Sequence, residues 1–226
     1  MMKTKILTTV IAAASLLFAA CEYDNFEAPK STLSGHIVYE GNAIPIRNNG
    51  AELQLWQDGF ATRAPIPVYI NQDGYFSASL FDGEYKLTRL GNAPWLQQSS
   101  DTIIVTVKGN TTVDVPSTPY YTVTNTTFQK NGNIVTGQFT VNRIVANSNL
   151  EFVRLYLGKT LLTDQVQRDL RVEGNVANFA FGQPTTLSGE IPENLRGLDF
   201  IFARIGVKSS LTGEYNYSPV QKIALK

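Results

Sequence analysis

The sequence predicts an all-β protein, two tandem β-sandwich domains behind a short export segment. Three observations carry this expectation. From Thr32 onward, apolar residues recur with period two in short runs, with no long stretch of period 3.6. Dipeptides such as Asp73-Gly74, Asp82-Gly83 and Asn131-Gly132 close the runs. Near the middle of the chain, Pro116 and Pro119 interrupt the pattern, and prolines cannot donate ladder hydrogen bonds.

The chain has 226 residues. Lys3 and Lys5 precede an apolar run, 6–18, that is shorter than the ~20 residues a spanning helix needs, so residues 1–20 read as a lipoprotein signal peptide. The run ends Leu17-Phe18-Ala19-Ala20-Cys21, with small residues placed where a signal peptidase must reach the scissile bond. Cys21 is the only cysteine and cannot form an internal disulfide, so it is expected to be the acylated first residue of the mature protein. Residues 21–31 carry Glu22, Asp24 and Glu27 without any apolar period and read as an acidic tether. Acidic residues beside a lipidated cysteine resemble the surface-export signal of Bacteroides-type lipoproteins. That resemblance implies a lipid-anchored protein on the outer face of the outer membrane.

In the first domain, 32–116, strands are expected at 33–40, 51–57, 66–71, 75–80, 83–90, 102–107 and 111–115. Alternation puts Leu53 and Leu55 on one face of their strand and Trp56 on the other. Asp73-Gly74 and Asp82-Gly83 fit tight turns with positive φ and imply a meander. Residues 117–119 read as an extended linker. In the second domain, 120–226, strands are expected at 121–129, 134–141, 150–157, 176–181, 187–191, 198–207 and 215–225. Leu162, Val166 and Leu170 lie four apart, which allows either a short helix over 161–171 or an extended crossing strand.

Leu33-Ser34-Gly35-His36-Ile37-Val38-Tyr39, Asp73-Gly74-Tyr75-Phe76 and Gly83-Glu84-Tyr85 supply a G-x-V strand, a D-G-x-F hairpin and a G-x-Y strand. Together they resemble the carboxypeptidase regulatory-like, prealbumin-type sandwich. The run 200–207, a turn through Gly213 and Tyr217-Ser218-Pro219-Val220 look like the last hairpin of a fibronectin III or immunoglobulin-like sandwich without its cysteine pair. Lipobox, tether and the two domains together resemble a family of uncharacterised two-domain lipoproteins of Bacteroides-type gut bacteria. Such proteins are often encoded beside outer-membrane glycan-uptake systems of the starch-utilisation type. The resemblance implies a context and transfers no functional residue.

Nineteen basic residues balance nineteen acidic ones, and losing Lys3 and Lys5 leaves 17 against 19. Nucleic acid is not an expected partner, because its recognition needs clustered Lys and Arg. His36 is the only histidine, which excludes a multi-histidine metal site, and it reads as a strand residue that faces solvent or caps a neighbour. Glu151, Asp164, Asp169, Glu173, Glu190 and Asp199 supply carboxylates, but no spacing selects a hydrolytic pair. No phosphate loop, nucleophile elbow or H-E-x-x-H segment is present, and Asn71-Gln72-Asp73-Gly74 lacks the spacing of a calcium loop. No enzyme activity, cofactor or metal is expected.

Sugar rings stack on flat aromatic faces while nearby amides and carboxylates take their hydroxyls. Trp95, in a loop between Pro94 and two glutamines, is a candidate either for such stacking or for plugging the end of the sandwich, and Trp56 is another, unless the other sheet covers its face and makes it core. Tyr215 and Tyr217 alternate on one strand face, and Tyr120-Tyr121 lies at the domain junction, where it either lines a groove between the sandwiches or serves as interdomain packing. Asp101-Thr102-Ile103 matches a short O-glycosylation acceptor of Bacteroides-type bacteria. The expected function is a non-catalytic accessory of a glycan-acquisition system that binds polysaccharide weakly or positions outer-membrane transporter components. A structural or adhesive spacer is the alternative, and a hydrolase with paired carboxylates comes third.

Overall fold

The computed structural model describes residues 27–97 and 102–226. The expected signal segment, Cys21, most of the tether and Asp101 lie outside the described residues. Residues 31–226 form one compact unit containing two sandwiches.

In the first sandwich, β1 (Ser31–Tyr39) lies between β2 (Asn42–Ala43) and β5 (Tyr75–Leu80), and it also takes β8 (Asn110–Thr112) and β9 (Val115–Pro116) in parallel. The facing sheet runs β4 (Ile66–Tyr69), β3 (Glu52–Trp56), β6 (Gly83–Arg89), β7 (Ile103–Val107). Alternation works as expected: Leu33, Ile37, Leu53, Leu55, Tyr85 and Val105 point into one core, while Trp56 sits on the outer face. Gly35 is there because a Cβ would stand 1.8 Å from the Val113 carbonyl oxygen, where the parallel strands close on β1.

The two Asp-Gly dipeptides do not make a meander. β4 and β6 belong to one sheet and β5 to the other, so the chain changes sheet at each turn. At the first turn the Asn71 side chain accepts the N–H groups of Asp73 and Tyr75, and Gly74 has φ +79°. At the second, the Asp82 carboxylate accepts the Ser31 hydroxyl and the Gly109 N–H, tying the two sheets together. Those bonds, the Ser31 one foremost, hold its carboxyl below the usual range.

The second sandwich has two sheets. One consists of β10 (Tyr121–Asn131), β11 (Ile134–Arg143) and β14 (Pro184–Glu190). The other runs β13 (Leu170–Glu173), β12 (Leu150–Gly158), β15 (Phe200–Ser209), with β16 (Tyr215–Tyr217) and β17 (Gln221–Ala224) both on β15. Val135, Phe139, Leu155, Leu157, Ala203 and Ile205 fill the space between the sheets. Two further expectations need correction. Residues 176–181 form no strand: Asn178 and Gly182 both have positive φ, and the segment turns back to stack Phe181 on Tyr121, with ring centroids 5.8 Å apart. Residues 161–169 form neither helix nor crossing strand but a loop in which the Asp164 carboxylate accepts the N–H groups of Val166 and Gln167. A short helix lies elsewhere, α1 (Glu193–Arg196), anchored by buried Leu195.

The β12–β15–β16 sheet is buried on both faces. Its outer face carries Tyr156, Tyr215 and Tyr217, with Phe152 packed against them, plus Arg154 and Arg204. At Gly206 a Cβ would meet the rings of Tyr156 and Tyr217 at 2.8 Å, so only glycine lets them close. The loop 159–169 and the first sandwich cover this face.

The linker is extended but stitched down. The Ser117 N–H donates to the Val38 carbonyl, the Leu96 N–H to Thr118 and the Tyr120 N–H to Pro94, while Trp95 bridges Pro119. Further bonds cross between the sandwiches. The Tyr217 N–H donates to the Pro45 carbonyl, Thr212 Oγ1 donates to the Ala93 carbonyl at 2.8 Å, and Arg47 grips Glu214 through two nitrogens at 2.6 and 3.2 Å. Central to them is Arg204, 1% exposed: Nε donates to the Ser218 carbonyl and Nη2 to the Gln72 carbonyl of the other sandwich, at 2.8 and 3.0 Å. Nη1 has no hydrogen-bond partner among the described residues, and the guanidinium lies 4.4 Å from the Tyr217 ring centroid. Burial pulls its pKa down to about 10, which leaves it charged at neutral pH.

Arg204→Ala is expected to lower the unfolding free energy by about 3–5 kcal/mol, since it removes two charge-assisted bonds and leaves buried carbonyls unpaired. Urea unfolding measures this. Arg204→Lys lacks the planar fork that reaches two carbonyls and should recover little of the loss.

Candidate functional site

A groove of about 570 Å³ opens where the sandwiches meet. One wall is the β1–β2 hairpin with the chain after it, contributing Tyr39, Glu40, Asn42 and Pro45. The other is the start of β10 and the end of β11, contributing Thr122, Thr124 and Asn142. Asn216 and Tyr217 of β16 also line it. The stitched junction described above fixes these walls relative to each other.

The polar groups are arranged rather than scattered. Asn142 Nδ2 donates to Thr122 Oγ1 at 3.2 Å and Thr124 Oγ1 at 3.1 Å, which leaves both hydroxyl protons and the Asn142 carbonyl oxygen for a ligand. Asn216 is 4% exposed and its Oδ1 accepts the Tyr121 N–H, which fixes the amide's orientation; its Nδ2 has no partner among the described residues. Tyr39 is half-buried, and its phenol is shifted up, first by burial and then by its hydrogen bond to the Glu40 carboxylate. Among the described residues no lysine or arginine lines the groove. An aromatic face, amides, hydroxyls and one carboxylate together suit a polyhydroxylated ligand.

Of the aromatics singled out from the sequence, Trp95, Tyr215 and Tyr217 are buried. Trp95 is 2% exposed and fills the first core. Tyr215 and Tyr217 do share a strand face, but it is the covered one; Tyr215 accepts from Arg154 and Tyr217 from the Gln165 N–H. Tyr217 reaches the groove lining while staying 2% exposed. Trp56 lies on the outer face of its sheet, its indole N–H donating to Thr88 Oγ1 at 3.2 Å and the Arg63 guanidinium 5.2 Å from its ring centroid. The junction groove forms at Tyr121, which is itself buried as packing, with Tyr120 beside it. Tyr39, Glu40, Asn42 and Asn142 carried no signal, because the hairpin and the facing strands are remote from each other in the sequence.

The six carboxylates noted in the sequence are held by structural partners. Glu151 pairs with Lys208, Glu173 with Arg154 and Arg171, Glu190 with Arg196, and Asp199 with Lys226. Asp164 caps its own loop, and Asp169 accepts from the Lys159 N–H and the Asn194 amide. The His36 ring is half-exposed, edge-on to Tyr75, and 3.9 Å from the Asp114 carboxylate. Among the described residues no three His, Cys, Asp or Glu side chains converge to hold a metal. Thr102 is exposed just before β7.

Trp56 and Trp95 are the two tryptophans. Iodide should quench only part of the intrinsic fluorescence, and Trp56→Phe should remove the quenchable part and leave the blue-shifted emission of buried Trp95.

Residues 31–118 match the family described as "Protein of unknown function (DUF3823) N-terminal domain", and residues 121–222 match "Domain of unknown function (DUF3823_C)". A DUF3823 family protein from Bacteroides ovatus is 47% identical over 88% of this chain and all of its own, with a TM-score of 0.83. One from Parabacteroides merdae is 35% identical over 87% of this chain and all of its own, with a TM-score of 0.79. A Bacteroides uniformis protein named a "putative carbohydrate binding protein" shares the fold at 20% identity, covering 87% of this chain and all of its own, with a TM-score of 0.70. No curated protein matches. With both of its domains matched, the chain belongs to the DUF3823 family.

Proposed function

We propose that this protein is a non-catalytic, cell-surface lipoprotein, anchored through Cys21, that binds glycan in the junction groove as an accessory of an outer-membrane glycan-acquisition system. The observation that carries the reading is the groove itself: a half-buried tyrosine, asparagine amides, threonine hydroxyls and a carboxylate on two walls that the junction holds at fixed separation. A preformed site spares the ligand the cost of ordering its walls. The Bacteroides uniformis protein with a carbohydrate-binding name has the same fold, which agrees with the reading at the level of fold. The anchor would keep the groove beside the transporter that takes up the captured glycan. The stitched junction also suits a rigid spacer, which is the second reading.

Affinity electrophoresis of the soluble protein, beginning after Cys21, through gels containing plant and host polysaccharides tests the proposal. Retardation by at least one glycan is expected. Tyr39→Ala should weaken it about tenfold, the scale of one lost aromatic contact of ~1.5 kcal/mol. Trp56→Ala should leave it unchanged. Loss through Trp56→Ala alone would move the site to the outer sheet face, and no retardation by any glycan would favour the spacer.

A further inference from the structure

The turn between β1 and β2 has two residues, Glu40 and Gly41, with φ +48° and +77°. Positive φ at both centres is the arrangement of a type I′ turn, which favours Asn-Gly and Asp-Gly. Glutamate is a poor occupant: it has a Cβ, and its longer side chain lacks the local backbone bonds that let Asn and Asp tolerate this region. Among the described residues, five non-glycines have positive φ. Four are asparagines, Asn49, Asn92, Asn125 and Asn178, and the fifth is Glu40. Among those residues the chain uses asparagine wherever else a side chain must adopt this conformation, so local geometry does not account for glutamate here.

Nor does structural pairing. Among the described residues Glu40 has no ion pair; its carboxylate meets the Tyr39 phenol, and its carbonyl oxygen accepts from Asn42. The side chain is exposed on the rim of the junction groove. Conformational strain kept at an exposed residue whose carboxylate has no charged partner among the described residues points to a ligand contact.

Resting on the glycan-binding reading, we infer that Glu40 is the specificity-determining residue of the junction groove. Its carboxylate takes a pair of vicinal hydroxyls from an uncharged sugar and repels glycans bearing uronate or sulfate. An ionised carboxylate is a pure acceptor and matches a diol that donates twice. The facing groups complement it: Thr122 and Thr124 offer hydroxyl protons. With no cation in the lining among the described residues, an anionic sugar finds nothing there to offset Glu40.

The test uses the soluble protein and two variants, Glu40→Asn and Glu40→Gln, each measured by thermal melting and by affinity electrophoresis. The probes are dextran, galactan and arabinoxylan beside dextran sulfate, polygalacturonate and glucuronoxylan. Glu40→Asn should melt about 2–4 °C higher, because asparagine suits the turn, yet bind the retarding neutral polymer at least tenfold more weakly. Glu40→Gln keeps the side-chain length without the charge; it should also bind the neutral polymer more weakly and no longer discriminate against the charged one. Retention of full binding by Glu40→Asn, or retardation of the parent protein by the acidic polymers as strongly as by the neutral ones, overturns the inference. If Tyr39→Ala still weakens binding about tenfold in that case, the groove reading survives. Failure of every glycan to retard the parent protein removes both.

Discussion

A buried guanidinium, that of Arg204, decides how the two sandwiches meet. Such a group needs acceptors, and the two it finds lie on opposite sides of the domain boundary, the Ser218 and Gln72 carbonyls. Neither carbonyl belongs to a side chain, so the contact ties backbone to backbone. The first sandwich cannot rotate away without leaving a charge less well paired and uncovering Tyr217, against whose ring the guanidinium rests. Arg47 with Glu214, and Thr212 with the chain at Asn92 and Ala93, secure the same boundary at other points. Two sandwiches joined by a few residues would ordinarily move relative to each other. Here several independent hydrogen bonds hold them.

The groove follows from that restraint. Its walls belong to different domains, so its width is set by the junction and not by either fold alone. Within each wall the polar groups are positioned locally, by the β1–β2 turn on one side and the Asn142 bonds to two threonines on the other. A rigid scaffold with a few oriented polar groups and one aromatic face is a common way to bind weakly but selectively.

Much of the fold was legible in the sequence because the outer strands obey period two. Leu53, Leu55 and Trp56 fall on the faces that alternation assigns. What was not legible lies where a strand is covered on both sides. In 200–207 the apolar run hides which residues face the core and which face the junction, because both sets are buried. Arg204, a charge inside that run, was the available signal that the second face is also covered. Tyr215 and Tyr217 misled for the same reason: their common face is right, but periodicity does not reveal a loop and a neighbouring domain lying over it. The Asp-Gly dipeptides marked turns correctly without showing that each turn changes sheet. The candidate site was the least visible part, since it is assembled from residues far apart in the chain and its turn uses Glu-Gly in place of the familiar Asn-Gly.

If the two sandwiches hold a single relative position and thereby keep a site open between them, one distance across the junction suffices to show it. The soluble protein, beginning after Cys21, contains no other cysteine, so nitroxide labels at Thr106→Cys on β7 and Thr186→Cys on β14 report that distance without background. Both positions are exposed on strands of different sandwiches. A pulsed electron-spin distance measurement should give one narrow distribution, unchanged by added glycan. A broad or multiple distribution in the parent protein would refute the fixed junction, because walls that move independently hold no preformed groove.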